Sequence, residues 1–315
     1  MKAQKELKEI FQAYSWAQMN VHVHTHLCDG KPEMTVENIA NKAEEVGVKL
    51  VVLTPHFHKQ LKDSQTVLYE NSDENIFLKL REEINDYEKK GSKVRFLLSS
   101  EADIISADGT LSLGPSKLVE ENLDFIMPTL NFHPLLPLRA VDVTNPEGRE
   151  KLHGSGEYMA MVEKAGGMEK IIDAMYTAQA NAIENISFPA MLGHFFAAHS
   201  KNGQYNWFGL CKEYLPMMME GAEKVLKACK STGTMIDITG NRLQGTDVDA
   251  KRQDLGFLFD FQKWFLRRCN ELGIVTCPGG DAHDLSRISG TWFYEELLQK
   301  IDIEKFGGLC YEYFD

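Results

Sequence analysis

Apolar and polar positions along the chain fall into two alternating patterns. Short aliphatic and β-branched runs, apolar almost throughout, read as strands buried on both faces. Longer stretches with apolar residues three and four apart read as amphipathic helices. In order, the pattern predicts a helix over 2–18, a strand over 20–25, and a helix over 35–46 introduced by Thr35 with Glu37 in its first turn. A strand over 49–55 and a long charged helix over 73–90, ended by Gly91, come next. Strand 94–101, a short helix over 116–122 and strand 124–130 follow. The alternation resumes with helix 168–185, strand 189–194, helix 216–231, strand 234–239, helix 255–272, strand 274–280 and a last helix over 291–300. Seven strands alternating with helices imply a parallel sheet and an α/β fold. That count suits a closed or nearly closed βα barrel, with an open doubly wound sheet as the alternative.

No repeat, low-complexity tract or linker divides the sequence, so one domain over 1–315 is expected, with 1–19 as an N-terminal helical segment. The stretch 134–167 is rich in proline and glycine (Pro134, Pro137, Pro146, Gly148, Gly154, Gly156, Gly166, Gly167) and long for a βα connection. It is expected either to cover the site as a lid or to be a surface excursion without a role. Its HGSGEY segment lacks the Gly-Lys-Ser/Thr ending of a phosphate loop.

Composition narrows the function classes. A chain of 315 residues with 43% hydrophobic content can bury one large core. A formal charge of −12 argues against a nucleic-acid surface held by phosphate contacts. No apolar run is long enough to span a membrane, and the charged start MKAQKELKEIFQAYSW is unlike a signal peptide. Six scattered cysteines (Cys28, Cys211, Cys229, Cys269, Cys277, Cys310) at no metal or redox spacing fit a reducing, cytoplasmic setting. Oligomeric state is left open.

The chemistry collects at the strand ends. His22 and His24, two apart, share one face of the first strand, a placement that suits a transition metal. Asp29 lies in the loop after it, His56 ends the second strand, Glu101 the third, and His133 follows the fourth. His194 ends the fifth, and Asp281 with His283 ends the seventh. These six imidazoles and three carboxylates all fall where βα-barrel enzymes place their active sites. A lone histidine there is usually a satisfied surface or core residue, but chance is a poor explanation for nine.

Nine ligands are too many for one catalytic zinc, which takes about three, so two or three divalent ions are expected. Three such ions against three carboxylates leave a local charge of about +3, or about +2 with a bridging hydroxide, enough to draw a phosphate dianion to an acidic protein.

The succession HVHTHLCDG, LTPH, SSEAD, NFHP, GHFF and GGDAH resembles the polymerase and histidinol phosphatase (PHP) family, over residues 20–283. The resemblance implies a distorted seven-stranded βα barrel, TIM-like, with a trinuclear zinc, manganese or iron centre at the carboxyl ends of the strands. It implies His22, His24, Glu101 and Asp281 on the first ion, and Glu101, His133 and His194 on the second. Asp29, His56 and His283 would hold the third. Two departures stand out: Cys28-Asp29-Gly30 replaces the usual Ser-Asp-Gly, and Thr-Pro-His replaces the commoner Thr-Asp-His. Cys28 is expected as a buried neutral thiol in place of serine, and His26 and His58 as surface residues. His153 and His199 are assigned no role.

The expected function is a metal-dependent phosphoesterase hydrolysing a small phosphate monoester, with a hydroxide bridging two ions as the nucleophile. Asp281 or His283 is the candidate to protonate the leaving oxygen, and Glu101 to bridge ions. Arg242 is the first candidate to hold the phosphate, followed by Arg287 and Arg139. Two other classes share parts of the pattern. A metal-dependent amidohydrolase or deaminase uses a related barrel, but no lysine here falls at the expected strand end. A non-catalytic or exonuclease-like metal module fits the full ligand set less well.

Overall fold

Helix α1 (Gln4–Gln12) buries Leu7, Ile10 and Phe11 along one stripe. It lies against the amino ends of later strands. The Gln4 amide donates to Ala190 O and Gly233 O at 3.1 and 2.8 Å and accepts from the Ala190 N–H at 2.8 Å, while Phe11 meets Phe125 edge-on. The helix expected over 2–18 is therefore shorter. Ser15, in extended backbone, opens a separate 3-10 turn, Trp16–Gln18, whose indole donates to Thr276 O at 3.0 Å.

The computed structural model describes residues 3–57, 73–130, 160, 162–195, 212–239 and 256–289. His133, Arg139 and Arg242, the histidines 58, 153 and 199, the helix expected over 291–300, and 134–159 with 161 of the stretch 134–167 lie outside the described residues.

The strands are β1 (Met19–Val23), β2 (Leu50–Leu53), β3 (His56–Phe57), β4 (Arg95–Leu98), β5 (Glu101–Asp103), β6 (Met127–Thr129), β7 (Met191–Leu192), β8 (Met235–Thr239) and β9 (Thr276–Gly279). The remaining helices are α2 (Val36–Val46), α3 (Asn75–Lys89), α4 (Lys117–Asn122), α5 (Met168–Asn185), α6 (Leu215–Thr232) and α7 (Gly256–Leu272). Every strand ladder is parallel, in the orders β1-β2-β4, β3-β5-β6 and β7-β8-β9. Single parallel bridges join Ile126 to Ala190 and Val23 to Ala282. The chain is thus an α/β fold with parallel strands. Among the described residues, no helix is long and apolar enough to cross a membrane.

Two expected strands are interrupted, and both interruptions serve the site. Strand 49–55 stops at Leu53 because Pro55 has no N–H to donate, and pairing resumes at His56. Strand 94–101 stops at Leu98 and resumes at Glu101, with Glu101 N–H and Ser100 Oγ both donating to Pro55 O. His56 and Glu101 then face each other in register.

Strand residues alternate between two apolar clusters, as a parallel layer covered on both faces requires. Met19, Val21, Leu50, Val52 and Leu97 pack with α1, α5 and α6. Val23, Val51, Leu53, Phe96 and Leu98 pack with α2 and α3.

Candidate metal centre

The site grows where the end of β1 meets the residues after β9. His24, one residue past β1, donates its N–H to Ala282 O at 2.9 Å, and Ala282 N–H donates to His22 O at 3.1 Å. The pairing of β1 with β2 shifts register between Asn20 and Val23, around His22. Asn20 fastens the junction. Its Oδ1 accepts from the His22 and Gly280 N–H groups at 3.2 and 2.9 Å, and its Nδ2 donates to Ile288 O at 3.1 Å.

The structure brings eight of the nine sequence candidates together. Their donor atoms form three groups, each within 4.8 Å: His24, Asp29, His56 and His283; His22, His24 and Asp281; and His22, Glu101 and His194. His22 and His24 each belong to two groups. Glu101 lies at the centre, 2.6 Å from His194 Nε2, 3.2 Å from His22 Nε2, 3.4 Å from His56 Nδ1 and 3.5 Å from His24 Nε2. Asp29 Oδ2 is 2.9 Å from His283 Nε2 and 3.4 Å from His56 Nε2. The rings stack closely: His24 lies 4.0 Å from His283 and 4.7 Å from His56, centroid to centroid. Burial is graded. His22, His24, Glu101 and His194 are enclosed, while Asp29 and His283 side chains are 18% and 33% exposed, so the first group is the open one.

The electrostatics follow from burial and charge. Burial opposes ionisation of His22, yet the Glu101 and Asp237 carboxylates outweigh it and push the imidazole up to about 10. His24 is likewise raised, burial being overcome by Asp29 and Asp281. The surrounding imidazoles hold Glu101 and Asp29 well below the usual carboxylate range against the opposing effect of burial. The carboxylates thus favour a proton on the His22 and His24 imidazoles.

The residues fit divalent ions. Imidazole nitrogens and carboxylate oxygens are the ligands of zinc, manganese and iron sites. His24 Nδ1 and Nε2 lie 3.0 and 3.2 Å from Asp29 Oδ1 and Asp281 Oδ1, but neither contact has hydrogen-bond geometry. His194 Nδ1 is also buried without a hydrogen bond among the described residues. Orphaned nitrogens beside carboxylate oxygens, as on His24, are what a shared cation satisfies. His194 and Asp281 carry positive φ, 21° and 44°, a strain concentrated on two candidate ligands.

The remaining candidates are not members of the three groups. Arg287 sits on the turn Leu285–Arg287, half-exposed, its Nε 3.9 Å from Asp284 Oδ2. The Cys28 sulfur accepts the His56 N–H at 3.3 Å, and burial pushes its thiol up. His26 lies outside the three groups, against Met34 O and Glu83.

Asp237 escaped the sequence reading. Fully buried on β8, its Oδ2 accepts from His22 Nδ1–H at 2.8 Å, the His194 N–H at 3.1 Å and the Thr239 hydroxyl at 2.8 Å. The signal was a lone acid in the apolar run Met235-Ile236-Asp237-Ile238, together with the glycine pair that makes room. A Cβ at Gly279 would lie 2.0 Å from Asp237 Oδ1, and one at Gly280 would lie 2.6 Å from Asn20 Nδ2.

No family model matches the chain, and no curated protein matches it. Among solved structures, it is similar to the "putative histidinol phosphatase hisK" of Listeria monocytogenes, with TM-score 0.56 and 18% identity over 86% of this chain and 97% of that one. At that identity the likeness speaks for the fold. A. niger ochratoxinase aligns over 95% of this chain and 69% of its own at 9% identity and TM-score 0.35. A broad-specificity endoglucanase from Clostridium longisporum aligns over 96% and 98% at 12% identity and TM-score 0.37. Those two similarities are too low to carry an argument.

Proposed function

We propose that this chain is a metal-dependent phosphoesterase of the PHP type, acting on a small phosphate monoester. The observation that carries the reading is the fusion of three donor groups through His22 and His24, a constellation for adjacent ions rather than one. The fold shared with the Listeria protein, whose name is that of a phosphatase, agrees with it.

The proposed scaffold is a single domain, a distorted barrel of seven strands. Supporting closure, β2 continues into β3 and β4 into β5, the Ile126–Ala190 bridge links the entry to β6 with the entry to β7, and the Val23–Ala282 bridge links β1 with the residues after β9. In this reading Glu101 spans the groups as the bridging carboxylate, and His22, His24 and Asp281 hold one ion. His194, with His133, holds a second, while Asp29, His56 and His283 hold a third.

Bound divalent ions would neutralise phosphoryl oxygens and make water nucleophilic near pH 7. The protein's own groups do the rest. The buried carboxylates and imidazoles fix the donors in place, so charge stabilisation needs no reorganisation. Asp29 and His283, on the open side, face the arriving ester. The leaving oxygen gains its proton from Asp281 or His283, whichever is not held by an ion in that step. Arg242, with Arg287 and Arg139 as further candidates, holds the phosphate.

Purified protein reconstituted separately with zinc, manganese and iron is to be screened against a panel of phosphate monoesters, with element analysis alongside. Two to three equivalents of metal and chelator-sensitive phosphate release are expected. Less than about one equivalent, or no release from any ester with any metal, would overturn the proposal.

A further inference from the structure

Asp237 concentrates three hydrogen bonds on one oxygen, and the donors come from three separate segments of the fold. His22 Nδ1–H reaches it from β1, the His194 N–H from just beyond β7, and the Thr239 hydroxyl from its own strand. β9 contributes a glycine where any side chain would strike the carboxylate. A buried carboxylate is costly unless its contacts offset the desolvation, so this one is not explained by packing.

We propose that Asp237 is the positioning residue for the buried half of the metal centre, acting through His22 and His194 rather than as a ligand. This inference rests on the cluster being a metal centre. An imidazole donating Nδ1–H to a carboxylate is locked into one tautomer and becomes a stronger donor at Nε2. His22 Nε2 is the atom turned inward, 3.2 Å from Glu101 Oε2 and 3.8 Å from Asp281 Oδ1. The same Asp237 oxygen grips the backbone of His194 where φ is 21°, the bend that sets its ring against Glu101.

The effect is selective. Both groups that contain His22 depend on Asp237. The open group of His24, Asp29, His56 and His283 does not touch it, because there His24 Nδ1 faces Asp29 at 3.0 Å. Losing Asp237 therefore weakens the enclosed ions and spares the open one.

The test is zinc titration of the full chain against a competing chelator, with histidine ¹⁵N resonances assigning each equivalent. His22 and His194 report the enclosed ions, and His56 and His283 the open one. Asp237→Asn is expected to lose about 10–100-fold in affinity at the enclosed positions. Affinity at the open position should stay within twofold of wild type. In zinc-loaded wild type His22 is the Nδ1–H tautomer, and in the variant that preference is lost. Gly279→Ala, which displaces the carboxylate without removing it, should reproduce the selective loss and decides the matter if Asp237→Asn does not fold. Equal loss at every position, or wild-type affinity and tautomer in both variants, overturns the inference while the metal reading stands. Wild-type protein that binds no zinc overturns both.

Discussion

Replacing Glu101 with glutamine removes one negative charge from the centre of four imidazoles while nearly preserving volume. The carboxylate lies between 2.6 and 3.5 Å from those rings and is sealed from solvent. At an effective dielectric constant of about 20, unit charges about 3.3 Å apart interact by about 5 kcal/mol. A carboxylate in contact with a divalent ion gains no less, before desolvation is subtracted. A loss of several kcal/mol for each ion that Glu101 touches is therefore expected, and each 1.4 kcal/mol is tenfold in Kd. Glu101→Gln should thus weaken ion binding by about 10³-fold or more. The assay is element analysis after desalting, with turnover on the best ester and circular dichroism for the fold. Metal content and turnover should fall together while the dichroism spectrum is kept. Full metal retention with near-normal turnover would refute the reasoning and make Glu101 an ordinary buried strand-end acid.

Metal binding should release protons. Burial disfavours charge on His22, but the neighbouring carboxylates raise it to about 10, so the metal-free protein holds that proton at neutral pH. Its contribution to metal-free stability is full below the unfolded pKa of about 6.5 and is lost as pH rises through the folded value. Metal affinity should accordingly rise between about pH 6 and pH 9, and calorimetry in buffers of different ionisation enthalpy should show proton release; a buffer-independent heat would contradict it. Phe11→Ala, emptying a fully buried position on α1, should cost about 3–5 kcal/mol in urea unfolding with metal stoichiometry unchanged. A loss below about 1 kcal/mol would show that α1 does not help close the amino ends of the strands. Arg242→Ala should leave metal content intact and lower kcat/KM by about 10²-fold, with Arg242→Lys recovering part, because a point charge cannot reproduce a bidentate fork. Impairment in Arg287→Ala alone would move the phosphate site to the turn after His283.

Periodicity and strand-end chemistry carried much of this protein in one dimension. Parallel strands covered on both faces are apolar throughout, so runs such as Leu50–Leu53 and Arg95–Leu98 stand out against the helices between them. Because parallel strands bring their carboxyl ends to one side, eight scattered residues from His22 to His283 could be grouped before any contact was known. What the strand pattern did not contain is how each donor is aimed. Pro55 marks the first break in the sequence, but the matching break at Ser99-Ser100, which sets Glu101 opposite His56, depends on hydrogen bonds to Pro55 O across the strands. The gradation from the enclosed His22 to the part-exposed His283 is set by burial in the folded molecule, which no strand pattern encodes. Asp237 shows the limit most clearly. A lone acid in an apolar strand has no periodic signature, and its partners are 215 and 43 residues away. Its meaning is a three-dimensional fact: one buried oxygen, three donors from separate segments, and a glycine on the next strand that leaves it room. Local propensity decides where strands and helices form. Only packing decides which polar atoms share a solvent-free space and must therefore satisfy one another.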